Sequence, residues 1–293
     1  MGHGHYSLEE RGIRANKLGY KTKSAQDIFK EKYINKDMNP FKLKIRESRD
    51  SEEHPDSISI IIGLDVTGSM GTVPHHLVKE GLPNLMNKIM ENGVKDTQIL
   101  FMGIGDHKID KAPLQIGQFE SSDSLMDKWL TDVYLEGGGG RNGGESYFLA
   151  WYFAANHTSI DCMEKRCKKG YLITIGDEPT HKDITSDNIK KIMGEVNENL
   201  FEEAGNITAI ELLTEAQKKY DVYHIHIHQT RSGQIESTID GWKELLGDKL
   251  IIAEDKEDVP NIISSIICNE NFDDSKINWF IDGKFQTNTE IIL

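Results

Sequence analysis

The sequence predicts a doubly wound α/β fold, in which a mostly parallel sheet carries helices on both faces and follows an extended N-terminal arm. Short apolar runs rich in β-branched residues recur along the chain, and stretches with helical spacing follow them. Continuous apolar runs are typical of strands that a parallel sheet buries on both faces. The turns after these runs are rich in Asp, Ser, Thr and Gly. Because doubly wound sheets bind ligands beyond the carboxyl ends of their strands, a functional site is expected at these turns.

Strands and helices are predicted to alternate from residue 58 onward. The first strand, residues 58–64, reads Ile-Ser-Ile-Ile-Ile-Gly-Leu, and the next stretch carries Leu82, Leu85 and Ile89 at helical spacing. The aromatic stretch 145–156 is a strongly apolar helix. The predicted elements after the first strand are, in order, helix 74–92, strand 98–104, edge strand 114–119, helices 124–134 and 145–156, strand 170–175, helix 207–219, strand 222–228, helix 239–246, strand 250–253 and helix 259–268.

Three segments make up the predicted chain: a basic arm at 1–56, the main domain at 57–270 and a tail at 271–293 that packs on or extends the domain. The arm lacks a strong period, and a short helix over 24–33 is its one predicted element. Residues 1–50 carry a net charge of +5 within a chain of net charge −14. A basic arm on an acidic body either folds back onto that body or binds an acidic partner.

Composition limits the class of protein. The negative net charge argues against a nucleic-acid-binding face, since phosphate contacts need a positive surface. No stretch is apolar for the roughly 18 residues that a membrane span needs, and the N-terminus has no apolar signal core. The three cysteines are an odd number without metal-type spacing. A reduced cytoplasmic protein is therefore expected.

The turn after the first strand has the pattern of a metal site. Asp65, Thr67 and Ser69 stand at alternate positions with a glycine between the hydroxyls, so a tight loop can direct three oxygens inward. Asp177 follows a strand expected beside the first and supplies a second carboxylate. Small hard cations such as Mg²⁺ prefer oxygen ligands and keep some of their waters. Without a metal, the same three side chains would merely cap the following helix.

This turn resembles the first metal-site motif of the von Willebrand factor type A family. The pattern Asp65, Thr67, Ser69 is similar to the family's Asp-x-Ser/Thr-x-Ser, and Gly68-Ser69-Met70 is typical of its prokaryotic members. The likeness covers roughly residues 57–268. It implies a Rossmann-like sheet with Mg²⁺, Mn²⁺ or Ca²⁺ at its top and a protein ligand whose Asp or Glu completes the metal shell. It implies binding or assembly, with no enzymatic turnover.

The chain departs from the family at the ligand that a Thr usually supplies. The Gly-rich loop 137–144 has no Thr, so the resemblance leaves Asn142 as the expected ligand and Glu145 as a water-mediated ligand or a lid. Parts of this loop and of 177–181 are closer to the branch that accompanies atypical alpha-kinases. An Asn keeps a neutral oxygen in the shell, whereas a Glu would reduce the ion's charge and weaken the capture of an acidic partner.

Several alternatives remain open at this stage. A nucleotide site is disfavoured, because no Lys-Ser/Thr follows the Gly-rich loop. His224, His226 and His228 lie on one face of a strand and form a candidate transition-metal site. Asp106 and His107 either support the main metal or cap a turn. The function is expected to be metal-dependent protein binding, with a scaffold holding a structural metal or a metal-dependent hydrolase or phosphotransfer enzyme as alternatives.

The enzyme alternative lacks a catalytic pair. An aspartyl phosphatase needs a second Asp two residues after the first, and Thr67 stands there.

Overall fold

The computed structural model describes residues 4–68, 70, 72–136, 143–201, 205–268, 279–281 and 284–286. The strands are β1 Arg46–Ser48, β2 Ile58–Asp65, β3 Thr97–Ile104, β4 Leu114–Ile116, β5 Thr158–Ile160, β6 Gly170–Gly176, β7 Asp183–Thr185, β8 Asn206–Thr208, β9 Tyr220–Ile227, β10 Leu250–Ala253, β11 Trp279–Ile281 and β12 Lys284–Gln286. The α-helices are α1 Leu8–Leu18, α2 Ala25–Ile28, α3 Thr72–His76, α4 Leu82–Glu91, α5 Asp123–Thr131, α6 Tyr147–Asn156, α7 Asp161–Arg166, α8 Ser186–Met193, α9 Ala209–Gln217, α10 Glu236–Leu246 and α11 Val259–Cys268.

A six-stranded sheet in the order β10-β9-β6-β2-β3-β4 forms the centre of the molecule. All neighbours pair in parallel except β3 and β4, which are antiparallel. The chain runs from β2 to β3 on one side and reaches β6 on the other side, so the strand order reverses at β2. This confirms the predicted doubly wound α/β fold, and β2 is its topological switch point.

Each face of the sheet carries its own apolar core. One core contains α6 and α9, and the other contains α4 and α11. Tyr147 to Ala154 in α6 are all 0% exposed, so this helix is buried on every side. That burial explains why its sequence is apolar all round and has no polar stripe.

Two predicted helices differ from those in the structure. The helix expected over 74–92 is split by a π-helical turn, Leu77–Gly81, in which the Leu82 N–H donates to the carbonyl of Leu77. Pro83 lies in the first turn of α4 and has no backbone N–H, so one helical hydrogen bond cannot form there. The wider π-helical turn accommodates this gap in the hydrogen bonding. The helix expected over 24–33 is the four-residue α2, which Phe29 ends in an extended conformation.

The N-terminal arm was expected to be extended, and that expectation is wrong for residues 8–18. They form α1. The Ser7 hydroxyl caps the start of this helix, and Gly19, which has a left-handed conformation, ends it. Its buried side chain is Arg11, so the helix has no apolar stripe for a periodicity argument to detect. Among the described residues, no helix has the length and apolar character needed to cross a membrane.

The predicted C-terminal tail, residues 271–293, lies largely outside the described residues. Its described parts, β11 and β12, pair with each other in antiparallel fashion.

Candidate metal centre at the carboxyl edge of the sheet

The turns after β2, β3 and β6 meet at one edge of the sheet. Asp65 pairs in register with Ile104 at the end of β3, and Leu64 pairs with Ile175 near the end of β6. Asp177 therefore follows a strand that lies directly beside β2. The sequence-predicted carboxylates Asp65 and Asp177 are both buried, with exposures of 1% and 0%.

Asp65 is held at both carboxylate oxygens. Its Oδ1 accepts hydrogen bonds from the Thr67 backbone N–H at 2.9 Å and from the Thr67 hydroxyl at 2.6 Å. Its Oδ2 accepts a hydrogen bond from the Tyr147 hydroxyl at 2.8 Å. Because the Thr67 hydroxyl donates its hydrogen bond to Asp65, its oxygen lone pairs are left for another partner, such as a cation.

The electrostatics of this edge favour a positive charge. Burial raises the pKa of Asp65 to about 7, and the neighbouring Asp177 charge acts in the same direction. The Tyr147 pKa is raised well above its ordinary value by burial and by the charges of Asp65, Asp177 and Glu145. A cation bound among carboxylates that are buried in this way becomes the dominant local charge.

Glu145, expected as a water-mediated ligand or a lid, also belongs to this edge. It is 6% exposed, and its Oε2 is buried without a hydrogen-bond partner among the described residues. Burial, followed by the Asp65 charge, raises its pKa to about 10. Its backbone is fixed to the turn after β6, because its N–H donates to the Pro179 carbonyl at 2.9 Å and its carbonyl accepts from the His181 N–H at 3.1 Å.

Tyr147 is a site residue that the sequence pattern did not identify. It opens α6 and looks like one more core aromatic, yet its hydroxyl reaches Asp65 across 82 residues of chain. Gly176 makes this possible, because a Cβ there would lie 1.8 Å from the Tyr147 hydroxyl oxygen. A glycine at the end of β6, just before Asp177, was the available signal for a close approach of this kind.

Two predicted ligands, Ser69 and Asn142, lie outside the described residues. The described part of the site therefore consists of Asp65, Thr67, Asp177 and Glu145, with Tyr147 added by the structure.

A cleft of about 710 Å³ gives access to the turn after β2. Thr67 and Gly68 line it from the sheet, and Phe29, Lys30 and Lys32 line it from the arm. The arm thus places two lysines beside the carboxylate-rich edge, in keeping with the opposite charges of the two segments.

The two histidines of β9 and His228 just after it do not form the transition-metal site considered from the sequence. His224 stacks on Trp242 with ring centroids 3.6 Å apart, and its Nδ1 is 2.9 Å from the Thr174 hydroxyl. His226 Nε2 donates to the Gly233 carbonyl, and His228 Nδ1 lies 3.1 Å from a Glu254 oxygen. The three rings thus have separate partners.

The residue types at the Asp65 edge fit a hard divalent cation. They are carboxylates and a hydroxyl, which are the donors that Mg²⁺ prefers. The carboxylates of Asp65, Asp177 and Glu145 do not all come within 4.8 Å of one another, since the one such group of His, Cys, Asp or Glu among the described residues lies elsewhere. An ion here would reach some of them through water, which Mg²⁺ commonly retains.

Comparison with known proteins assigns no family. No family model matches the chain, and no curated protein matches it. Two structures of the pilus adhesin SpaC from Lactobacillus rhamnosus GG align with it at 11% and 13% identity, each with a TM-score of 0.48. Each alignment covers 77% of this chain and 31% of the adhesin, so the chain spans about a third of the adhesin's length. A likeness at this level says nothing about function.

Proposed function

We propose that the protein is a metal-dependent protein-binding module of the von Willebrand factor type A kind. The observation that carries the proposal is the buried Asp65, hydrogen-bonded to Thr67 and raised in pKa by burial and by Asp177. A divalent cation bound among these buried carboxylates would stabilise their ionised forms. The proposal agrees with the motif resemblance of the sequence and assigns binding, with no turnover, to the chain.

Asp65, Thr67 and Asp177 would hold the ion, with Ser69 and Asn142 as further sequence-predicted ligands. Mg²⁺ is the proposed metal, because the donors are all oxygen, and Mn²⁺ or Ca²⁺ could replace it. When bound, the ion supplies a positive centre that accepts an Asp or Glu carboxylate from a partner protein. Thr67 presents its oxygen, and the Tyr147 hydroxyl keeps Asp65 oriented. The cleft beside Thr67 and Gly68 offers the partner a route to the site.

The first test is metal binding by the full chain. We expect Mg²⁺ to raise the melting temperature and to bind with measurable heat, and Asp65→Asn to abolish both effects. Asp221→Asn is the matched control, because Asp221 is the second residue of β9, at the opposite end of the strands, and pairs with Lys249 there. Unchanged Mg²⁺ binding in Asp65→Asn would overturn the proposed site.

The second test concerns the partner. Immobilised full chain should retain a partner from a lysate of its source cell in Mg²⁺, release it in EDTA and fail to retain it as the Asp65→Ala variant. Mass spectrometry identifies the retained protein. Retention that is indifferent to EDTA and to Asp65→Ala would reject the binding module.

A scaffold with a structural metal is the second candidate, and burial of the site favours it. Asp65, Thr67 and Asp177 are 1%, 3% and 0% exposed, so an ion among them could serve the fold alone. In that case Mg²⁺ would stabilise the chain strongly while leaving partner retention unaffected.

A cytoplasmic location is also proposed. Cys162 and Cys167 are free thiols, which suits a reducing compartment.

A further inference from the structure

We propose that Asp106, His107 and His181 form a second metal site, for a late first-row divalent ion such as Zn²⁺. One ligand atom from each of the three lies within 4.8 Å of the other two. The site is separate from the Asp65 site in its donor atoms and goes beyond the proposed binding function.

The three side chains are already in contact. His181 Nε2 is 2.8 Å from Asp106 Oδ1, and His107 Nδ1 is 3.8 Å from the same oxygen. The His107 and His181 rings meet edge to face, with centroids 5.2 Å apart. Their side chains are at most 5% exposed, so the cluster is held within the fold.

The surrounding backbone fixes this arrangement. Asp106 and His107 follow β3, His181 follows β6, and these two strands flank β2, so the cluster bridges the turns on either side of the switch point. The Ser146 hydroxyl lies 2.7 Å from His107 Nδ1 and accepts a hydrogen bond from the His107 N–H. Ser146 thus holds the His107 ring beside Asp106.

The donor set distinguishes this site from the Asp65 site. Two imidazoles and one carboxylate suit Zn²⁺ and its neighbours in the first transition row, whereas Mg²⁺ prefers oxygen throughout. Three protein ligands leave a fourth position of a tetrahedral ion for water. Ligand atoms of a tetrahedral ion with bonds of about 2.0–2.1 Å lie roughly 3.3–3.4 Å apart. The 2.8 Å pair, His181 and Asp106, must therefore move apart slightly, and the 3.8 Å pair, His107 and Asp106, must close slightly.

Lys108 is the group that competes with a metal. Its Nζ lies 3.1 Å from His181 Nδ1, so in the structure His181 accepts there and its Nε2–H donates to Asp106. For Nε2 to bind a metal, the proton on Nε2 must move to Nδ1. Lys108, which is exposed, must then turn to solvent. Removing the Lys108 ammonium should therefore strengthen metal binding.

The experiment is a Zn²⁺ titration of the full chain against a chromophoric chelator, with millimolar Mg²⁺ present. The background chain carries His3→Ala and His5→Ala, because the N-terminal histidines could bind Zn²⁺ by themselves. We expect one bound Zn²⁺, and Co²⁺ in its place should give visible d–d absorption. His181→Ala and His107→Ala should each abolish both signals.

Further variants separate a metal site from a hydrogen-bonded cluster. Lys108→Ala should tighten binding, and His228→Ala, a histidine outside the cluster, should leave it unchanged. If His181→Ala does not fold, His181→Gln keeps a donor toward Asp106 and should fold without binding Zn²⁺.

Three outcomes would overturn the proposal. They are the absence of stoichiometric Zn²⁺ binding, Zn²⁺ binding that survives His181→Gln, and Zn²⁺ binding that is lost in Asp65→Asn. The last would place Zn²⁺ at the Asp65 edge. Loss of Mg²⁺ binding in Asp65→Asn with Zn²⁺ binding intact would support both sites independently.

Discussion

A hydrogen bond between Tyr147 and Asp65 connects helix α6 to the turn after β2 at the candidate metal centre. The Tyr147 hydroxyl donates to Asp65 from a helix that begins directly after the Gly-rich loop, and the lack of a side chain at Gly176 makes room for it. The orientation of the predicted metal ligand therefore depends on an aromatic residue and on a glycine, neither of which can bind a hard cation well.

Gly176→Ala should displace Tyr147 and loosen Asp65. The added methyl would overlap the Tyr147 hydroxyl, so we expect a loss of about 1–3 kcal/mol in unfolding free energy, together with weaker Mg²⁺ binding. Urea unfolding and calorimetry measure the two effects. The control is Gly241→Ala in α10, where a Cβ meets nothing within 4 Å and should stabilise the helix by about 0.5–1 kcal/mol.

Glu145 should set how strongly a bound ion attracts a partner's carboxylate. Burial keeps it neutral in the metal-free chain, and a nearby divalent ion would favour its ionised form, which then offsets the ion's charge. Glu145→Gln should weaken Mg²⁺ binding by about tenfold, or about 1.4 kcal/mol, while raising partner retention at saturating Mg²⁺. A parallel fall of both quantities would contradict this role.

At the scale of elements, the arm docks through a buried ion pair that lies beside apolar contacts of Tyr6 and Tyr20. Arg11 of α1 is 1% exposed, and its guanidinium lies 3.1 Å from Asp127 of α5. The Tyr20 hydroxyl donates to the other oxygen of Asp127 at 2.9 Å. The described arm thus folds back onto the body, which is one of the two placements expected from its charge.

Asp127→Ala should detach α1 and lower the free energy of unfolding. The substitution leaves the Arg11 charge buried without its partner, which typically costs about 3–5 kcal/mol. Asp132→Ala, at the end of the same helix, breaks an exposed pair with Lys128 and should cost about 0.3–0.5 kcal/mol. Chemical denaturation compares the two, and limited proteolysis should cut the arm first in Asp127→Ala. Equal losses in both variants would refute the docking role.

At the scale of the whole molecule, buried histidines should limit stability in acid. Burial lowers the pKa of His226 to about 4, and it lowers those of His107 and His224 in the same direction. A histidine whose folded pKa is depressed stabilises the fold above its ordinary pKa of 6.5, and that contribution disappears as pH falls toward 4.

His226→Gln should flatten this dependence in part. The full shift of His226 corresponds to about 3 kcal/mol, so the stability gap between wild type and variant should shrink by up to that amount from pH 7 to pH 4. Urea unfolding at several pH values with EDTA present measures the gap, since EDTA removes any contribution from bound metal. A gap that is constant over this range would contradict the prediction.

The sequence by itself determined the sheet and the edge at which a site must lie. Apolar runs such as the one in Ile58–Asp65 form buried strands because burial removes their side chains from water. The turns that follow parallel strands then lie together at one edge of the sheet. The position of Asp65 and Asp177 at this edge follows from that pattern. The helix α1 did not follow from it, because its buried residue is an arginine whose partner is 116 positions away.

Tertiary structure alone decided which distant side chains meet. Tyr147 reaches Asp65, and His181 reaches Asp106 from 75 residues away, because β3 and β6 flank β2. It also gave His224, His226 and His228 separate partners, although their even spacing suggested a shared ion. Periodicity fixes which face of an element a residue occupies, but contacts across the sheet depend on strand order and on the room that residues such as Gly176 leave.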